Sequence, residues 1–109
     1  MTHSETLSYF GAGFAKVHAK VHHYWRFNQV PPYVIWEEQA TDPHDADDST
    51  VEQGYEGFVH LFTKTDADPL IDSIESAMSD MGMTYRTESV QYEEETKLIH
   101  HEWSWSWLG

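Results

Sequence analysis

The sequence predicts an α+β fold: a mixed, mainly antiparallel sheet of about four to five strands with two helices packed on one face. Three observations lead there. Apolar and polar residues alternate through the second half, closing on Leu98-Ile99-His100-His101-Glu102-Trp103-Ser104-Trp105-Ser106-Trp107. Two other stretches carry helical spacing instead, one near the N-terminus and one after Asp68-Pro69. The resulting order is helix, strand, strand, strand, helix, strand, strand. It holds no repeat and no linker, so the 109 residues read as one domain.

Leu7, Phe10, Phe14, Val17 and Val21 recur at helical spacing and predict a helix from an N-cap at Ser4 to about Lys16. Gly11 and Gly13 each weaken it by roughly 1 kcal/mol relative to Ala. The pattern then turns to alternation, with Val21, His23 and Trp25 against His22, Tyr24 and Arg26. That predicts a strand over 20–26. Pro31-Pro32 has no amide proton to give a ladder, so the pair opens the next strand, Tyr33-Val34-Ile35-Trp36.

The segment from Glu37 to Thr50 changes character. It holds Asp42, Pro43, Asp45, Asp47 and Asp48 with almost no apolar residue, and predicts an exposed, mobile acidic loop over about 38–51. Alternation returns over 51–63 with apolar residues on both sides, as expected of a central strand covered on both faces. Asp68-Pro69 then reads as N-cap and first helical position. Leu70, Ile71, Ile74, Ala77, Met78 and Met81 form one apolar stripe, ended by a Gly82 cap. Asp72, Glu75, Ser76, Ser79 and Asp80 fall outside that stripe and are expected to be solvated. Two last strands, over 83–92 and 98–107, are joined by the polar Glu93-Glu94-Glu95-Thr96-Lys97 as an antiparallel hairpin.

Charge narrows the function. Nineteen acids against six bases give a net charge of −13, which repels nucleic acid and anionic membrane. The bases Lys16, Lys20, Arg26, Lys64, Arg86 and Lys97 are scattered and make no basic patch, so no specific nucleic-acid binding is expected. Cysteine is absent, which excludes disulfides and thiolate metal sites. No run of about 18 apolar residues exists to span a bilayer. The start, Met1-Thr2-His3-Ser4-Glu5, lacks the pattern of a signal peptide, so a cytoplasmic origin is expected.

Catalytic motifs fail one by one. Gly11-Ala12-Gly13 lacks the preceding strand, third glycine and nearby Lys-Ser/Thr of a phosphate loop. No serine sits in a nucleophile elbow, and acids are so abundant that any chosen carboxylate pair is nonspecific. An enzyme is not expected. Eight histidines invite a metal reading, but His22-His23 and His100-His101 are neighbours that face opposite ways on a strand, and no His-Glu-x-x-His motif exists. They read as half-exposed strand residues; a site built across strands depends on register. Asp42, Asp45, Asp47 and Asp48 miss the spacing of a calcium loop and suit at most weak divalent binding coupled to assembly. No other cofactor is expected. In the last strand Ile99, His101, Trp103, Trp105 and Trp107 share a face. It is expected to be core near Ile99 and Trp103 and to grade, through Trp105, into a partner surface at Trp107.

One resemblance runs through most of the chain. Val21-His22-His23-Tyr24 is followed by Val30-Pro31-Pro32-Tyr33-Val34-Ile35-Trp36 and an acidic loop. Then come Phe58-Val59-His60-Leu61-Phe62-Thr63, a helix over 66–81, Tyr85-Arg86, and Ser89-Val90-Gln91-Tyr92-Glu93-Glu94-Glu95-Thr96-Lys97-Leu98-Ile99-His100-His101-Glu102-Trp103. This ordered set resembles the tail completion, or tail terminator, proteins of long-tailed bacteriophages. The resemblance implies a small subunit without catalytic residues that forms a ring, typically a hexamer, on the end of a finished tail tube. It would stop polymerisation there and meet the head connector. The partners implied are further copies of itself, the tail tube protein and the connector protein, with DNA passing through the ring. The expected location is the head–tail joint of the virion, after assembly in the host cytoplasm. A lumen through which DNA slides benefits from not holding phosphates, and a −13 subunit supplies like charge; Asp42, Asp45, Asp47 and Asp48 are candidates to line that channel or to meet the tube. Two rival readings are an acidic DNA-mimic inhibitor of a host enzyme and a metal-dependent hydrolase using His and Asp.

Overall fold

The computed structural model describes residues 1–24, 29–39 and 54–108. In chain order the elements are α1 (His3–Ala15), β1 (Val21–His23), β2 (Tyr33–Glu38), β3 (Gly54–Thr63), α2 (Leu70–Asp80), β4 (Thr84–Glu93) and β5 (Leu98–Leu108). Five strands form one mixed sheet in the order β1-β2-β3-β5-β4. Only β1 and β2 run parallel; the other neighbours are antiparallel. The fold class read from the sequence is the one observed. The acidic residues Asp42, Asp45, Asp47 and Asp48 lie outside the described residues, as do Trp25 and Arg26.

Local chemistry adjusts several boundaries. The N-cap of α1 is Thr2, not Ser4. Thr2 Oγ1 accepts from the Glu5 amide while Glu5 accepts from the Thr2 amide, at 3.1 and 2.8 Å. Ser4 has Leu7 three residues on and cannot close such a box. β1 is shorter than expected because Tyr24 turns to φ 67, a left-handed conformation that ends the ladder. β2 runs two residues past Trp36, since Glu37 and Glu38 still pair with Phe58 and Gly57. Asp68 caps α2 from one residue further out than expected: its Oδ1 accepts from the Leu70 amide at 2.9 Å and its Oδ2 from Thr63 Oγ1 at 2.6 Å. The helix ends as read, with Gly82 at φ 82. Its amide bonds to Ser79 and that of Met83 to Met78, a reciprocal closure that favours glycine.

Both helices lie on one face of the sheet. Register aligns Trp103 with Val59, Trp105 with Gly57 and Trp107 with Tyr55, so the tryptophan face meets the helices. Phe10 of α1, fully buried, sits edge-on to Trp36, Tyr55, Trp105 and Trp107, with ring centroids 5.1–6.3 Å apart. Such pairs contribute about 0.5–1.5 kcal/mol each beyond burial. Trp103 Nε1 donates to Glu75 Oε2 at 2.9 Å, so Glu75 tethers α2 to the sheet rather than serving only as solvated surface. Among the described residues no helix is long and apolar enough to cross a membrane.

Gly57 explains how three tryptophans fit. A β-carbon there would lie 2.0 Å from the Glu37 carbonyl oxygen and 2.7 Å from Trp105 Cζ2. The Trp105 ring occupies the space that a side chain would need, and the backbone of β2 blocks relief. Gly57→Ala is therefore expected to lower the unfolding free energy by about 1–3 kcal/mol or more. Urea denaturation checks this, and an unchanged midpoint would contradict the contact.

Candidate functional site

The tryptophans are committed to the fold. Trp105 is only 2% exposed and is enclosed by this chain's own side chains, so the expectation that it offers a partner surface fails. The cause is α1, which lays Phe10 across it. Trp107 is half-buried: its Nε1 donates to the Met81 carbonyl at 2.9 Å and its ring packs on Phe10 and Tyr9. Two polar atoms of this face, Trp105 Nε1 and His101 Nε2, are buried without a hydrogen-bond partner among the described residues.

Chemistry gathers instead on the helix-free face. Alternation sends Tyr33, Ile35 and Glu37 of β2, Phe58, His60 and Phe62 of β3, and Leu98, His100, Glu102 and Ser104 of β5 to that side. Register sorts them into rows: Tyr33, Phe62, His100; then Ile35, His60, Glu102; then Glu37, Phe58, Ser104. Tyr33, Ile35, Phe62 and Leu98 form a second, smaller apolar cluster. Beside it His60 and His100 meet on the diagonal of the ladder.

His60 Nδ1 and His100 Nε2 lie 2.9 Å apart, a hydrogen bond between imidazoles. Glu102 Oε1 stands 3.6 Å from the same His60 nitrogen. The outer nitrogens face carboxylates too: His60 Nε2 is 3.5 Å from Glu37 Oε1, and His100 Nδ1 is 3.9 Å from Glu93 Oε1. His100 stacks on Phe62 at 4.3 Å. Burial, with His60 next to it, pushes the His100 imidazole below its ordinary value, although Glu102 and Glu93 pull the other way. Sequence reading missed this group because β5 pairs with β3 across an intervening helix and strand. The alternation did place His60 and His100 on definable faces; nothing local set the register between them.

A second polar cluster marks the β1 edge. His23 Nε2 lies 2.7 Å from Glu38 Oε2, and its ring is stacked between Tyr24 and Trp36 at 3.9 and 3.8 Å. The Tyr24 hydroxyl donates to the other Glu38 oxygen. Two depressions on the described surface have volumes of about 280 and 470 Å³. Neither is lined by a histidine, so neither pairs a nucleophile with an imidazole base.

No known protein-family model matches the chain, and no curated protein matches it at significant similarity.

Glu38 has a consequence for stability. Burial pushes its carboxyl up, but hydrogen bonds from Tyr24 and His23 outweigh this and hold it below the ordinary value of 4.5. A carboxyl lowered in the folded state contributes stability above the unfolded value and loses it as pH falls through the folded one. Glu38→Gln is expected to flatten the loss of thermal stability below about pH 4.5 while removing some stability at pH 7. A melting curve series from pH 3 to 7, about half a unit apart, checks this; an unchanged acid limb would contradict it.

Proposed function

We propose that this chain is the subunit of a phage tail terminator: a homo-oligomeric ring, typically of six, that caps the head-proximal end of the tail tube. It stops tube polymerisation there and presents the joint to the head connector. The tail tube protein and the connector protein are its partners, and DNA passes through the ring without being bound.

The observation that carries this reading is that two pairs of exposed apolar side chains lie at opposite ends of the sheet. A closed head-to-tail ring needs two different patches on opposite sides of one subunit. At one outer strand of the sheet, β4, Val90 and Tyr92 are 56% and 58% exposed. At the other, beside β1, Tyr24 and Val30 are 52% and 69% exposed. No other strand among the described residues pairs with the outer edge of β4. One half of that edge is guarded. A bulge sets Glu88 out of register, where it accepts from Arg86 Nε and Ser104 Oγ at 2.6 and 2.7 Å. The half with Val90 and Tyr92 has no such guard.

Two further points support the same reading. The segments that resemble tail terminators run through β1, β2, β3, α2, β4 and β5, so the resemblance follows the whole sheet rather than one motif. The −13 charge suits a channel that DNA must slide through, and Asp42, Asp45, Asp47 and Asp48 are the residues assigned to that role or to the tube contact.

Light scattering over a range of concentrations, with and without millimolar Mg²⁺ and with purified tail tubes, tests the ring. A discrete species of about six times the 12.7 kDa subunit mass is expected. Val90→Glu with Tyr92→Glu is expected to return it to the subunit mass with an unchanged circular dichroism spectrum. A monomer under every condition, tail tubes included, would overturn the reading. Asn at Asp42, Asp45, Asp47 and Asp48 is expected to impair assembly or DNA passage; full infectivity would remove the acidic segment from the mechanism.

A further inference from the structure

We propose that the helix-free face of the sheet holds a zinc-class transition-metal ion between His60 Nδ1, His100 Nε2 and a Glu102 carboxylate oxygen. These three donor atoms lie within 4.8 Å of one another. Tetrahedral zinc, with bonds of about 2.0–2.1 Å, holds its donors about 3.3 Å apart. The two measured contacts of His60 Nδ1, 2.9 Å to His100 Nε2 and 3.6 Å to Glu102 Oε1, stand on either side of that spacing. His60 is buried and His100 and Glu102 are half-buried, so the remaining separation, up to 4.8 Å, closes by rotation of the latter two side chains. Two imidazoles and one carboxylate are a zinc donor set that leaves the fourth position for water or another donor. Nitrogen donors disfavour Mg²⁺ and Ca²⁺, which take oxygen.

The surroundings of the histidines single out a cation rather than a plain hydrogen bond. Ligating imidazoles characteristically turn the second ring nitrogen toward a carboxylate, which fixes the tautomer and raises ligand basicity. Both do so here, His60 toward Glu37 and His100 toward Glu93. Two neutral rings hold two N–H groups between them. If they hydrogen-bond to each other, one N–H is spent in the middle, and one outer nitrogen faces its carboxylate bare. An ion in the middle lets both inner nitrogens act as lone-pair donors and both outer ones carry their protons toward Glu37 and Glu93. The proton leaving one inner nitrogen reappears on the outer nitrogen of the same ring, so binding to neutral rings releases no net proton. A second proton in place of the ion would satisfy the same geometry but would leave no stoichiometric metal site to titrate. Glu37, Glu93 and Glu102 place three carboxylates around the pair.

The test uses the full chain stripped of metal and titrated with Zn²⁺ by calorimetry, and with Co²⁺ as a spectroscopic probe. One ion per subunit is expected, with visible Co²⁺ bands of tetrahedral N/O coordination and no competition from millimolar Mg²⁺. His100→Gln and Glu102→Gln are expected to weaken binding at least about 100-fold, and Glu37→Gln about 10-fold. His3→Gln, on the opposite face of the sheet, is expected to bind as the parent does. Nitrogen NMR is expected to show His60 fixed as the Nε2–H tautomer and His100 as Nδ1–H once zinc is bound. Glu102 is partly exposed, so its isosteric variant reports on binding even if His100→Gln does not fold. Absence of a stoichiometric site would overturn the proposal, and so would equal affinity in the folded Glu102→Gln protein. Binding is counted per subunit, so this outcome is independent of whether a ring forms.

Discussion

The contact between Trp105 and Gly57 is the constraint on which the rest of the fold depends. An indole on β5 lies where the neighbouring residue of β3 lacks a side chain, with the β2 backbone directly behind it. That one vacancy lets three tryptophans stand on a single strand face. Phe10 then closes over Trp36, Tyr55, Trp105 and Trp107, and α1 is positioned by that closure more than by its own helix propensity. The second helix is tied in from the same strand, through the Trp103 indole to Glu75. Large rigid rings with few rotamers lose little entropy when buried. A domain of this size can therefore assemble a defined core from few residues.

Committing the tryptophans to the helices has a consequence on the reverse side. Strand alternation sends the intervening residues His100, Glu102 and Ser104 to the face opposite the two helices of the described residues. That face is neither plainly polar nor plainly apolar. Tyr33, Ile35, Phe62 and Leu98 are buried on it, and two imidazoles sit at their border among three carboxylates. Partial desolvation, with His60 beside it, lowers the pKa of the His100 imidazole, against the pull of Glu102 and Glu93. The ends of the sheet differ again, with Val90 and Tyr92 exposed on β4 and Tyr24 and Val30 exposed beside β1. The helix face thus secures the fold, while the opposite face carries the proposed ion site and the strand edges the proposed contacts between subunits.

Much of the fold was legible in the sequence. The α2 boundaries follow from Asp68-Pro69 and Gly82 to within one residue at the start, because capping chemistry is local in the chain. The alternation of β5 correctly separated Trp103 from Glu102, since pleat geometry alone decides it. The α1 cap lies two residues before the expected Ser4, because Ser4 and Thr2 are equally good caps and Glu5 closes the box from Thr2. The partner role expected for Trp105 failed for a non-local reason: only the packing of Phe10 across the sheet shows that the ring is already covered.

By itself the sequence determined the α+β class, the order of the elements, the strong negative charge and the faces on which side chains lie. These depend on periodicity, composition and short-range capping. Tertiary structure decided which strands are neighbours. Inserting β5 between β3 and β4 brings His60 beside His100 and Gly57 beneath Trp105. Register between strands some 40 residues apart is set by the packing of the whole sheet, so no local pattern contains it.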